Sequence, residues 1–237
     1  IMNDKGQFLG TVGGGKVEAE TEKKCREILK EKNTDGEVYH FVLNTEGKDA
    51  LDMACGGEAD ILVQYIRADE PGNVLEHFVN KETAYLFGGG HVAFALEPIL
   101  RHIGFDTVII DDREEYANPE RFPNALRTIV VDTYDHAFDE IECDENSYIV
   151  IVTRGHRGDL EALRQALKQT CAYLGMIGSR NKNRTLFDIL LKEGVTQEQL
   201  DKVYAPIGEN IYAETPEEIG VSIAAEIIRV RSGHGTR

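Results

Sequence analysis

No run of apolar residues in this 237-residue chain approaches the length that spans a bilayer, and no signal-peptide pattern opens it. Basic residues are scarce: 26 Lys and Arg stand against 42 Asp and Glu, a net charge of −16. Nucleic acid needs a Lys/Arg surface to meet its phosphates, and anionic lipid needs the same, so no nucleic-acid and no membrane partner is expected. Cysteines are few and far apart, at Cys25, Cys55, Cys143 and Cys171. None forms a CxxC pair, so neither a metal site nor a disulfide framework is expected, and a cytoplasmic chain with reduced thiols is the reading. Internal repeats and low-complexity tracts are absent as well. A chain that opens on Ile1 is expected to lack its natural start.

What is present suits a packed core: 41% of the residues are apolar, which excludes disorder as the main state. Residues 1–70 read as a small α+β domain lacking its first strands. Gln7–Val12 reads as a strand running into three glycines, Lys16–Lys32 as a helix, and Glu37–Leu43 and Ile61–Ile66 as strands. The turn cluster Asp69-Glu70-Pro71-Gly72-Asn73 opens a linker over residues 71–82. From 83 to 237 the pattern becomes alternating strand and helix. Apolar runs at Ala84–Phe87, Thr107–Ile110, Thr128–Val131, Tyr148–Val152 and Ala172–Met176 are separated by helical stretches such as His91–Ile103 and Asp159–Gln169. Continuous apolar strands between helices are what a parallel sheet covered on both faces requires. The fold class is α/β, a Rossmann-like doubly wound parallel sheet behind a smaller N-terminal domain.

Gly88-Gly89-Gly90-His91-Val92-Ala93 follows a strand, opens a helix and fits G-x-G-x-x-A. Gly88 permits the tight turn, Gly90 lets a phosphate approach the backbone, and Ala93 lets helix and sheet pack closely. The helix start adds free N–H donors and partial positive charge beside His91. Asp111 lies 23 residues after Gly88, where a ribose-binding acid is expected, and Asp112 follows it. The alternative is that the glycines only pack helix on sheet. Arg154 and His156 follow one strand end, and Gly178, Ser179 and Arg180 another. Ligands of open α/β sheets bind outside such ends, so these five residues are candidates. A surface histidine and a salt-bridged helix start are the plain readings of His156 and Arg180.

Gly13-Gly14-Gly15-Lys16-x-Glu18 puts a second glycine turn before a helix, where backbone N–H groups can meet an anion or the chain can simply turn sharply, with Glu18 an acid favoured in a first helical turn. Cys55 before Gly56 and Gly57 has backbone freedom, and it is the cysteine best placed to act as a thiolate.

Taken in order, these segments resemble the XdhC/CoxI family of xanthine dehydrogenase accessory proteins. The N-terminal part carries the likeness in Gly10–Ala19 and Cys55-Gly56-Gly57. The larger part carries it in Phe87–Val92, Asp111-Asp112-Arg113, Arg121-Phe122-Pro123, Gly175–Arg180, Ala205–Gly208, Thr215–Ile219 and Ser222–Glu226. The resemblance implies a carrier rather than a catalyst. Such a carrier binds molybdenum cofactor (molybdopterin), supports its sulfuration by a cysteine desulfurase and delivers it to the apoenzyme of a molybdenum hydroxylase, and a homodimer is expected. Two departures matter. The family's opening strand and Ser-Ser-Pro-Arg-like loop belong ahead of Ile1, and Lys16 stands where many members have Cys. NAD(P) stays open as a ligand, either of an oxidoreductase or of a dinucleotide-sensing module, because of the glycine turn and Asp111.

Overall fold

A computed structural model describes residues 1–42, 57–69 and 82–234 and divides the chain into two compact units, Ile1–Val79 and Asn80–Arg237. Of the expected linker only Glu82 lies among the described residues. In the first unit α1 (Gly15–Glu31) buries Val17, Thr21 and Ile28, and packs on β2 (Glu58–Val63), which pairs antiparallel with β1 (Glu37–Val42). Two expectations need correction. Gln7–Val12 is not a strand; only an isolated bridge joins Met2 to Phe8 across a turn held by the Asn3 side chain, and Gly10 sits at φ 82°, which ends extended backbone. The strand expected at Ile61–Ile66 runs instead over Glu58–Val63, because pairing with β1 sets its register from Glu37 opposite Val63 to Val42 opposite Glu58.

The second unit is a five-stranded parallel sheet. Its elements in chain order are β3 (Thr83–Phe87), α2 (His91–His102), β4 (Asp106–Asp111), β5 (Arg127–Val130), β6 (Ser147–Ile151), α3 (His156–Ala166), β7 (Tyr173–Met176), α4 (Arg180–Lys192), α5 (Gln197–Leu200) and α6 (Pro216–Arg229). A short 3-10 helix, Tyr134–Glu140, precedes β6. The strand order is β5-β4-β3-β6-β7, so the chain reverses direction across the sheet between β3 and β6. That is the doubly wound arrangement, with its switch point at the carboxyl ends of those two strands.

Alternation along the strands explains why each one reads as a continuous apolar run. Phe87, Val108, Ile110, Ile149, Ile151 and Met176 face a cluster with α3, α4 and the 3-10 helix. Their neighbours Leu86, Ile109, Tyr148, Val150 and Tyr173 face the other, with α2 and α6. Both faces are largely dry along β3, β4, β6 and β7, so polar alternation is lost there, whereas edge strand β5 leaves Arg127 and Val130 exposed. Gly220 brings α6 close against α2, since a Cβ there would stand 3.3 Å from the Leu96 nitrogen.

Candidate functional site

Three glycines follow β3, each held by a different constraint. Gly88 has φ 108°, and a Cβ on it would meet the Val152 carbonyl oxygen at 2.5 Å. The turn is therefore tight against the end of β6. A Cβ on Gly89 would lie 2.0 Å from the Tyr116 carbonyl oxygen, so the segment after β4 crosses directly over it. Gly90, the N-cap of α2, has nothing within 4 Å of a built Cβ. Only Gly90 leaves open space over helix N–H donors.

Asp111 ends β4 fully buried, and its carboxylate is saturated. Oδ1 accepts from the Arg113 backbone N–H at 3.0 Å and from Arg113 Nε at 2.9 Å. Oδ2 accepts from the Gly89 N–H at 2.7 Å and Arg113 Nη2 at 3.0 Å. A carboxylate offers about four lone-pair directions, so a ribose hydroxyl could reach this acid only by displacing one of its own donors. Asp112 is paired across the switch point with Arg154, Oδ2 to Nη2 at 3.0 Å. The Arg154 side chain is 62% exposed, so the pair adds little stability and can open for an anion. Burial pushes the Tyr134 hydroxyl well above its ordinary pKa, with Asp111 and Asp112 adding to the rise. It donates to no partner among the described residues.

Beyond β6, Gly155 caps α3 and again has open space where a side chain would be. His91 and His156 are exposed at the starts of α2 and α3. Two residues that the sequence did not single out tie α3 to α4. Fully buried Asp159 accepts from Thr153 Oγ1 at 2.7 Å and from Lys182 Nζ at 2.5 Å. After β7, Gly178 packs on Asn183, whose Oδ1 would lie 2.3 Å from a Cβ, and Ser179 caps α4 by accepting from the Lys182 N–H. Arg180 is exposed and has no ion pair among the described residues. Gly178, Ser179 and Arg180 line a cavity of about 850 Å³ together with the loop from Pro206 to Ala213. That loop is anchored by buried Glu226, which accepts from the Tyr173 hydroxyl at 2.6 Å and the Gly208 N–H at 3.0 Å. Its tip exposes Ile211 and Tyr212, the latter at φ 58°.

In the first unit Gly13, Gly14 and Gly15 all have positive φ, at 113°, 75° and 63°, so this turn needs glycine for its backbone alone. The Glu18 carboxylate lies 3.8 Å from a Cβ built on Gly14. Cys55 and Gly56 lie outside the described residues. Burial raises the thiol pKa of Cys25 and Cys171, and of Cys143 to about 11, so none of these three is a ready thiolate. Among the described residues no His, Cys, Asp and Glu cluster is arranged to hold a metal ion, and no helix is long and apolar enough to cross a membrane.

Residues 84–227 match the XdhC Rossmann domain. The chain is 30% identical over 232 residues to the uncharacterized protein YqeB of Escherichia coli (strain K12), covering 98% of this chain and 40% of that one. It is 28% identical over 151 residues to a probable xanthine dehydrogenase subunit from Bacillus subtilis (strain 168), covering 64% of this chain and 43% of the relative. The chain thus spans about two fifths of the length of these curated relatives. A crystal structure from Bacillus halodurans, described as a xanthine dehydrogenase, superposes with a TM-score of 0.69 at 20% identity, over 98% of this chain and 85% of that one. That likeness concerns the fold alone.

Proposed function

The chain belongs to the XdhC family, and on that premise we propose that it is a carrier for molybdenum cofactor that serves the maturation of a xanthine dehydrogenase-type molybdenum hydroxylase. The observation that carries this reading is the cavity of about 850 Å³ behind Gly178, Ser179 and Arg180. Its size suits a tricyclic pterin, and cofactor pockets fall in this range. In a chain of net charge −16, an anionic ligand must be held by local donors. Arg180 and the first N–H groups of α4 meet the phosphate, while Ile211 and Tyr212 cover the ring faces. The open turns at Gly90 and Gly155, with His91, Arg154 and His156, offer further donors along the same sheet edge. When bound, molybdenum cofactor supplies the redox-active metal centre that the target enzyme uses. This chain's residues bind it, shield it from water and release it.

Support of sulfuration by a cysteine desulfurase falls to Cys55, the cysteine whose glycine-rich context suits a reactive thiol. We also propose a homodimer through α6, whose Val221 and Ile228 lie two turns apart and are both exposed. The glycine turn and the strand order favour a second reading, an NAD(P) site, and the four internal donors on Asp111 weigh against it. Mass and metal analysis of ligand that co-purifies from cells able to make molybdopterin separates the two. Pterin with molybdenum is the expected result, and NAD(H) alone would replace the carrier with a dinucleotide-binding protein.

A further inference from the structure

Arg121, Phe122 and Pro123 lie beside the glycine turn without touching the cavity at Arg180. Arg121 donates from Nε to the Gly89 carbonyl at 3.0 Å, and its guanidinium sits over the Phe94 ring, 4.6 Å from the centroid. Phe122 is buried and meets Phe94 edge-on at 5.9 Å. Phe94 and Pro98 of α2, with Pro119, Phe122, Pro123 and one cation, the Arg121 already bound to Gly89, line an open groove of about 1190 Å³. Phe94 is 51% exposed, an unusual position for a ring that packs on one side. Three exposed carboxylates, Glu114, Glu115 and Glu120, border the groove, and none has an ion pair among the described residues. Glu97 differs, being buried and bonded by Thr107.

We propose that this groove docks a basic segment of a partner protein, one that sets an aromatic or aliphatic anchor between Lys or Arg residues. The charge pattern selects that occupant. A phosphate-bearing ligand, nucleic acid or anionic lipid meets three unpaired carboxylates, whereas a cationic segment neutralises them while its anchor takes water off Phe94 and the prolines. The ring already holds a guanidinium on one face, and its exposed surface offers the same attraction to a partner's arginine. Opposite charge speeds the encounter, and the anchor slows departure. The inference goes beyond the cofactor reading and does not depend on it, since no residue of the groove lines the cavity at Arg180.

The test is selection of a randomised peptide library on the intact chain, followed by affinity measurements on three variants. Selected peptides are expected to pair Lys or Arg with an aromatic or leucine anchor. Their affinity should fall about tenfold on the combined Glu114→Gln, Glu115→Gln and Glu120→Gln variant, and similarly on Phe94→Ser. It should also fall as salt is raised. A control variant with Glu142→Gln, Glu145→Gln and Glu198→Gln removes the same charge elsewhere and should leave binding unchanged. The glutamines keep the size of exposed, unpaired side chains, so the first variant retains the fold. Peptides without basic residues, equal loss on the control variant, undiminished binding to both groove variants, or a library that yields no binder would each overturn the proposal.

Discussion

A methyl group added at Gly89 would lie 2.0 Å from the Tyr116 carbonyl oxygen, whereas one added at Gly90 would meet nothing within 4 Å. Adjacent glycines of one motif therefore answer to different demands. Gly89→Ala is expected to lower the unfolding free energy by about 2 kcal/mol, because backbone must move to admit it. Gly90→Ala should cost less than about 1 kcal/mol, the usual difference at an N-cap. Gly90→Asp should keep the fold yet weaken retention of an anionic ligand, since its carboxylate fills and charges the open space. Urea titrations together with quantitation of co-purified pterin check all three, and equal destabilisation at the two positions would contradict the assignment. Spacing was enough to place Gly88, Gly90 and Asp111 around one turn. It could not reveal why Gly89 is glycine, because Tyr116 is remote in sequence and the nearest contact is its carbonyl oxygen. Nor could it pair Asp159 with Lys182, a first-turn acid and a first-turn base on different helices.

Elements were legible in proportion to how fully they are buried. The strands β3, β4, β6 and β7 stood out because both of their faces are largely dry, so composition alone marks them, while edge strand β5 buries Ile129 and leaves Arg127 and Val130 exposed. The opening segment misled for the opposite reason: Gln7–Val12 reads as a strand, but no partner strand pairs with it among the described residues, and Gly10 and the glycines that follow bend it. Helix α6 announces itself through Thr215-Pro216-Glu217-Glu218. The Thr215 side chain accepts from the Glu218 N–H, and Glu218 accepts from the Glu214 and Thr215 N–H groups at 2.7 and 3.1 Å. Those donors hold the Glu218 carboxyl below its ordinary 4.5. A group whose folded pKa is depressed contributes stability above its unfolded pKa and loses it as pH falls through the folded value. Wild type should therefore melt above Glu218→Gln at neutral pH, and the gap should close in acid below the ordinary carboxylate range. A gap that persists unchanged at low pH would show that the advantage of the acid over the amide owes nothing to its charge at the helix start.

At the scale of the whole molecule, every described buried residue in the two apolar clusters that sandwich the parallel sheet comes from the second unit. A hydrophobic core of its own is the physical requirement for independent folding. Residues 80–237 alone should therefore unfold in one cooperative transition, with far-ultraviolet and tyrosine circular dichroism giving coincident curves in urea. Cofactor retention should not survive the cut equally well. The thiol assigned to cofactor handling, Cys55, and the glycine turn at Gly13–Gly15 are both left behind. The isolated unit should retain clearly less pterin than the intact chain after gel filtration, and Cys55→Ser in the intact chain should reproduce part of that loss, with Cys143→Ser as the silent comparison. Retention by residues 80–237 that equals that of the intact chain would place the whole ligand site on the parallel sheet. It would leave Cys55 and the first glycine turn without a part in holding the cofactor, because a thiol that contributes to binding cannot be removed without cost to affinity.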